Sequence, residues 1–446
     1  MAVDSMPMRA YNLLTCYCLI ATGSTMIKAL RGTVDILPPD TALWARAEAC
    51  ARELCERYGY SEIRTPVFER TELFVRSIGD TTDIVEKEMY TFADRKERSI
   101  TLRPEGTACV VRACLEHKLF GQGTLHKFYY LGPMFRYERP QAGRQRQFHQ
   151  IGVEIFGTYS PLADAESIAV LVRYFELMGL TGISVNLNSI GDAESRAAYS
   201  TMLRDFVTPL RDKLCPDCQR RMERNILRVL DCKVPSCKEL FAGGAPRMTE
   251  ALSDSARAHY ECVQAALDRL GIAYREEPKL VRGLDYYTHT IFEVTHATLG
   301  AQDALGGGGR YDGLVEEMGG PPTGAVGWAL GCERMIIALR AAQRGEPSPA
   351  VDVCMVAFDE EALQENAVYA DKLRNAGLRV ACGYDQQSVK SQMRQANASG
   401  AAWVVMRGGD ERSQGTVKLK NMHSGEEEFV KADGLVETLR QRIHPS

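Results

Sequence analysis

Two alternating stretches dominate the pattern of apolar and polar positions. The even positions Phe128, Tyr130, Gly132, Met134 and Arg136 fall on one side of an extended strand. Past a basic loop, Ile151, Val153 and Ile155 share one face of a second strand, while Gln150, Gly152 and Glu154 share the other. An apolar face backed by an amide, a glycine and a carboxylate predicts a polar cleft above a packed core. The loop carries Arg139, Arg144 and Arg146 against Glu138, which suits anions, because a planar guanidinium grips phosphate oxygens in pairs. Upstream, Leu43, Trp44, Ala47, Cys50, Ala51, Leu54 and Cys55 recur at helical spacing until Gly59 ends the run. Residues 60–66 read as a strand closed by Pro66, and 89–92 and 99–103 as two more. Residues 102–107 lead into a helix through His117. Glu105 and Thr107, either side of Gly106, suit an ammonium ligand or the start of that helix equally well.

After a helix at 161–178 and a strand at 183–188 the character changes. Residues 195–270 are charged and helical, which predicts an insertion beside the core. Within it Cys215 and Cys218, then Cys232 and Cys237, form two pairs separated by thirteen residues. Four such thiols suit a tetrahedral zinc, but the second spacing sits at the edge of the usual range, and the sequence assigns no metal. Arg220, Arg221, Arg224 and Arg228 nearby suit either phosphates or a solvated helix face. Next comes the run Leu280 to Val294, where Arg282 and Asp285 flank a glycine and Tyr286 and Tyr287 follow. Such tyrosines clamp a planar ring or simply pack. Gly306 to Gly309 read as a close backbone approach or a flexible turn, without the strand–GxGxxG–helix arrangement of a dinucleotide site. Residues 341–349 form a Gly/Pro/Ser-bearing linker, and strands alternating with helices beyond it predict a small α/β domain over 350–446.

The length of 446 residues implies more than one domain. With 54 basic against 58 acidic residues the net charge is −4, so any nucleic-acid contact must come from local patches. Fourteen cysteines scattered through a long chain point to reduced thiols and a cytoplasmic location. Residues 1–25 hold a short, interrupted apolar run that faintly resembles a signal peptide and is too short to span a membrane. They read as a disordered, dispensable extension ahead of Met26.

The run Phe135 to Gln141, with Gly143, Arg144 and Arg146 to Gln150, resembles motif 2 of class II aminoacyl-tRNA synthetases. The helix and strand ending at Pro66 resemble motif 1, and Gly324 to Arg334 resembles motif 3. The word Arg282-Gly283-Leu284-Asp285-Tyr286-Tyr287 is characteristic of the histidyl-tRNA synthetase family, bacterial type. The resemblance, from about Lys28 to the C-terminus, implies an antiparallel catalytic core over 26–194 and 271–340 with flanking helices. It implies a helical insertion over 195–270 and an anticodon-binding α/β domain over 350–446. The implied reaction joins L-histidine to ATP as histidyl-adenylate, releasing pyrophosphate, and passes histidine to the 3′ end of tRNA-His. Arg136 and Arg282 would hold the α-phosphate, Arg334 would stack on adenine, and Mg²⁺ would accompany the ATP. Glu105, Thr107 and Gln150 would bind the substrate ammonium group, Glu154 and Tyr287 the imidazole nitrogens, and Tyr286 would line the pocket. Arg139 and Gln141 match positions near the tRNA acceptor end. A homodimer is implied, and no membrane partner. The rival is a regulatory paralog in histidine biosynthesis. The α/β domain and the intact Arg136, Arg282 and RGLDYY weigh against it.

Overall fold

The structure is a computed structural model, and it describes residues 26–79, 82–121, 123–232, 234–242, 244–342 and 351–444. The extension 1–25 and most of the linker expected at 341–349 lie outside the described residues. In chain order the strands of the first part are β1 (Ser61–Glu62), β2 (Phe68–Arg70), β3 (Tyr90–Ala93), β4 (Ser99–Leu102), β5 (His126–Phe135) and β6 (Gln147–Phe156). They are followed by β7 (Ile183–Ser189), β8 (Arg275–Glu276), β9 (Thr288–His296), β10 (Ala304–Arg310) and β11 (Ala325–Gly331). Eight of these build one sheet in the order β1-β5-β6-β11-β10-β9-β7-β8. Its six inner strands run antiparallel, and only the short outer strands β1 and β8 pair in parallel. The expected strand over 60–66 is shorter than its pattern, because it pairs with β5 through Ser61 and Glu62 and then turns away toward Pro66. Strands β2, β4 and β3 form a separate antiparallel sheet.

The helix Asp40–Arg57 buries Leu43, Ala47, Ala51 and Leu54, as its spacing requires, and the helix Pro161–Leu177 packs in the same core. The latter starts where Ser160 accepts a hydrogen bond from the Leu162 amide and Pro161 takes the first helical position. Its Asp164 is wholly buried and meets the equally buried Arg310 of β10, a pair that locks helix to sheet.

The four glycines at 306–309 are not a turn, and Gly306 and Gly307 line a cavity on the sheet. They are the middle of β10, between β9 and β11. A Cβ on Gly308 would lie 2.0 Å from the Gly327 carbonyl oxygen, and one on Gly307 would lie 2.5 Å from that of Phe292. The neighbouring strands therefore approach too closely for any side chain. Gly152 answers a similar demand. It sits opposite Tyr130 in the β5–β6 register, and its Cβ would fall 2.3 Å from the Tyr130 ring. Gly152→Ala is expected to cost about 1–3 kcal/mol by overpacking, read as a lower melting temperature.

Between β7 and β8 lie the helices Ala193–Val207, Pro216–Arg224, Pro235–Ala242 and Asp254–Arg269 with short 3₁₀ turns between them, the last packing into the core of the large sheet through Ala256, Tyr260, Val263 and Leu267. The C-terminal part holds β12 (Val353–Ala357), β13 (Val380–Cys382), β14 (Trp403–Arg407), β15 (Thr416–Asn421) and β16 (Glu427–Lys431) in the order β13-β12-β14-β15-β16. The parallel strands match the expected βα alternation. The hairpin β15–β16 was not anticipated, although Val417 and Leu419 alternate inward and Gly425 turns the chain. No helix among the described residues is long and apolar enough to cross a membrane.

Candidate active site

The polar face of β6 opens into a cavity of about 270 Å³ on the large sheet. Glu105, Thr107, Arg136 and Gln150 line it, and so do Arg282, Tyr286, Tyr287 and Arg334. Segments almost two hundred residues apart thus converge because β6 lies beside β11 and β10 beside β9. Arg139 and Gln141 do not join them. Both are exposed on the connecting loop, while its Arg144 turns back to pair with Glu138 at 2.8 Å.

Glu105 caps a helix and also lines the cavity. Its carboxylate accepts the Thr107 and Ala108 amide hydrogens at 2.8 Å, capping the helix Thr107–Glu116, while it faces the cavity. Burial pushes its pKa up despite those two bonds. Glu154 lies one layer deeper. It accepts a hydrogen bond from the Thr107 hydroxyl at 2.7 Å and is hydrogen-bonded to the Tyr311 hydroxyl. With 1% of its surface exposed, its carboxyl is pushed up to about 8 by burial, against the pull of Tyr311 and Thr107. Tyr286 and Tyr287 lie with ring centroids 4.7 Å apart, and Tyr311 stands edge-on to Tyr286 at 5.5 Å. Tyr311 was missed in the sequence. It lies two residues beyond the run Gly306 to Gly309.

The cations are held by fixed acceptors. Arg136 donates through Nε to the Pro104 carbonyl at 2.8 Å and lies over Phe148 at 5.3 Å. Arg282 donates through Nη1 to Glu293 at 2.8 Å. Its Nε is buried and finds no partner among the described residues. Arg334 donates to the carbonyls of Gly143 at 3.1 Å and Ala304 at 2.9 Å. Desolvation, then the neighbouring Arg144, lowers its pKa. Three oriented guanidinium groups around one cleft make a receptor for a polyanion. Glu333, just before Arg334, accepts the His149 amide hydrogen at 3.0 Å and so fastens the start of the helix Cys332–Ala341 to β6.

Each of the four insertion arginines has an acidic neighbour, Arg221 reaching Asp83 at 3.8 Å. Arg220 pairs with Asp217, Arg224 with Glu86 at 3.0 Å, and Arg228 with Asp285 at 2.8 Å.

An antiparallel sheet with one arginine from the β5–β6 loop region and another opening the helix that follows a glycine-studded strand is the catalytic core of a class II aminoacyl-tRNA synthetase. A family model described as "Histidyl-tRNA synthetase" matches residues 32–335, and one described as "Anticodon binding domain" matches residues 351–442. The chain belongs to the histidyl-tRNA synthetase family. It is 49% identical over 420 residues to the histidine–tRNA ligase of Halothermothrix orenii, covering 94% of this chain and 100% of that one. It is 50% identical over 418 residues to that of Desulforudis audaxviator, covering 93% and 99%. The crystal structure of apo S. aureus histidyl-tRNA synthetase superposes with a TM-score of 0.78 at 40% identity, covering 93% of this chain and 100% of that one.

Proposed function

We propose that this chain activates L-histidine with ATP and transfers it to the 3′ end of tRNA-His. The observation that carries the reading is the single cavity shared by Arg136, Arg282 and Arg334 with Glu105, Thr107 and the tyrosine pair. It offers cationic donors for a triphosphate beside carboxylate and phenol groups for an amino acid.

Histidine sits with its ammonium group toward Glu105, Thr107 and Gln150. The Gln150 Oε1 is buried and has no partner among the described residues, an acceptor that an ammonium would satisfy. The imidazole lies against Tyr286 and reaches Glu154 and Tyr287. Its carboxylate attacks the α-phosphorus of ATP, pyrophosphate departs, and the negative charge that builds on the α-phosphate is met by Arg136 and Arg282 already in place. Arg334 lies flat against the adenine. Glu138 and Glu293, carboxylates lining the cavity, are the hard oxygen donors that would hold an Mg²⁺ accompanying ATP, which would offset phosphate charge. A site that hydrogen-bonds both ring nitrogens rejects apolar side chains, which would leave its buried polar groups unpaired.

Arg139 and Gln141, exposed beside the mouth of the cavity, meet the tRNA acceptor end. The core is assigned to 26–194 and 271–340, the insertion to 195–270, and anticodon binding to 350–446. The homodimer and a cytoplasmic location belong to the same proposal. Phe68 and Phe92 leave about half their surface exposed on the three-stranded sheet (52% and 49%), and a groove of about 880 Å³ runs beside Val75. A second protomer would cover this apolar surface.

Charging tests the reading. Labelled histidine becomes attached to tRNA-His in the presence of ATP, and the other amino acids do not. Failure to charge by folded protein would overturn it. The raised Glu154 carboxyl adds a pH signature. Its folded pKa of about 8 exceeds the unfolded value near 4.5, so its contribution to stability is complete below about 4.5 and is lost as pH rises through about 8. Glu154→Gln cannot ionise. Its melting temperature relative to wild type is therefore expected to rise between pH 5 and pH 9, while histidine binding weakens. A pH-independent difference would contradict the assignment.

A further inference from the structure

Four cysteines distant in sequence meet inside the helical insertion. Cys215 caps the helix Pro216–Arg224, and Cys218 lies in its first turn. Cys232 closes the 3₁₀ turn Ile226–Asp231, and Cys237 lies in the first turn of the helix Pro235–Ala242. The four sulfurs all lie within 4.8 Å of one another, and those of Cys215 and Cys232 are 3.7 Å apart. No pair is bonded as a disulfide. Zinc–sulfur bonds of about 2.3 Å in a tetrahedron give sulfur–sulfur edges of about 3.8 Å. The cluster already has nearly that size.

The surroundings suit thiolates. The Cys215 amide donates to the Cys237 sulfur at 3.3 Å, and the Cys218 amide to the Cys215 sulfur at 3.5 Å. The start of the helix Pro216–Arg224 thus directs amides at the cluster, which favours negative sulfur. Cys218, Cys232 and Cys237 are buried, while Cys215 is partly exposed and leaves a path for an ion. The lobe around them is small, built from short helices and 3₁₀ turns around Leu203, Val207, Met222 and Phe241. A unit of that size gains from a metal crosslink. Plain packing would account for buried thiols, but it supplies no reason for four to converge.

We propose that Cys215, Cys218, Cys232 and Cys237 form a tetrathiolate Zn²⁺ site that fixes this lobe and, through it, the loop carrying Tyr286 and Tyr287. An all-sulfur tetrahedral set selects zinc over oxygen-seeking cations. The link to the loop runs through the segment between the second and third cysteines. There Asn225 donates to Asp285 Oδ1 at 3.1 Å, and Arg228 donates to the same oxygen at 2.8 Å and to the Gly283 carbonyl at 3.0 Å. Asp285 immediately precedes the two tyrosines, so Arg228 is a positioning residue for the pocket. This second clause rests on the histidine reading of the pocket, whereas the metal site does not.

The test is metal analysis of the full-length chain purified under reducing conditions. About one zinc per chain is expected, with Cys232→Ser and Cys237→Ser losing it. Because loss of a ligand can unfold the lobe, the wild-type chain is also stripped and refilled with Co²⁺, which is expected to show the intense visible bands and thiolate charge transfer of a tetrahedral CoS₄ centre. A chain without zinc that also gives no such spectrum overturns the site, as does recovery of a disulfide or an iron chromophore. For the brace, Arg228→Lys is expected to keep its zinc and raise the KM for histidine about tenfold with little change in kcat. An unchanged KM, or an equal loss in kcat alone, overturns the brace and leaves the metal site standing. Zinc in a chain that charges no tRNA overturns the functional reading and spares the site.

Discussion

Replacing Arg282 by alanine is expected to lower histidine-dependent ATP–pyrophosphate exchange about 10³-fold while the chain stays folded. Arg282 is anchored by Glu293 at one Nη and also meets Tyr287. The buried Nε without a partner costs stability in the free protein, and an α-phosphate oxygen would remove that cost as charge develops on it. The backbone around it is cleared for the purpose, since a Cβ on Gly307 would lie 3.0 Å from Arg282 Nη1. Arg282→Lys keeps the charge and loses the planar fork, so it is expected to recover only a small part of the rate. Exchange at the wild-type rate in Arg282→Ala would remove this residue from the chemistry.

The second large effect concerns stability. Arg310→Met is expected to destabilise the core by about 3–5 kcal/mol, measured as a lower urea midpoint or melting temperature. Arg310 donates to Asp164 through Nε at 3.1 Å, to Asp312 and the Thr158 carbonyl through Nη1 at 2.9 Å, and to the Ser160 carbonyl through Nη2 at 2.9 Å. Methionine fills the space but leaves Asp164, wholly buried, with only His259 at 3.4 Å. Burial alone would raise the Asp164 carboxyl. His259 and Arg310 overcome it and hold the pKa below its ordinary value of 3.8. The sign follows: this group stabilises the fold above pH 3.8, and the benefit is lost as pH falls below it. The wild type is therefore expected to lose stability in acid more steeply than an Asp164→Asn, Arg310→Met double variant. A cost below about 1 kcal/mol would show that the pair behaves like a surface ion pair.

These two arginines also mark where the sequence was legible. Arg282 sits in a word with no packing rationale, and the alternation on β6 placed Gln150 and Glu154 on one polar face. Gly152 between them looked functional, and its reason is steric, for it makes room for Tyr130. Arg310 looked like any charged residue after a loop, because its partner Asp164 lies 146 positions away and neither shows its burial locally. Strand β10 was hidden for a different cause. Glycines carry no side chain to alternate, so only the closeness of β9 and β11 reveals the strand. Tyr311 was lost with it, although its hydroxyl reaches Glu154. The cysteine spacing was visible, but only the fold brings the second pair onto the first. Arg228 was read among phosphate ligands or solvated charges, and its contact with Asp285 depends on the same folding of the lobe.

The central claim is that one cavity joins a histidine subsite to an ATP subsite. The most direct measurement is ATP–pyrophosphate exchange by the wild-type chain, run separately with each of the twenty amino acids. Exchange with L-histidine alone is the predicted result. No exchange with any amino acid, from folded protein, would contradict the account and favour a regulatory paralog. Exchange with a different amino acid would leave a synthetase but reject the pocket built from Glu105, Gln150, Glu154 and Tyr287.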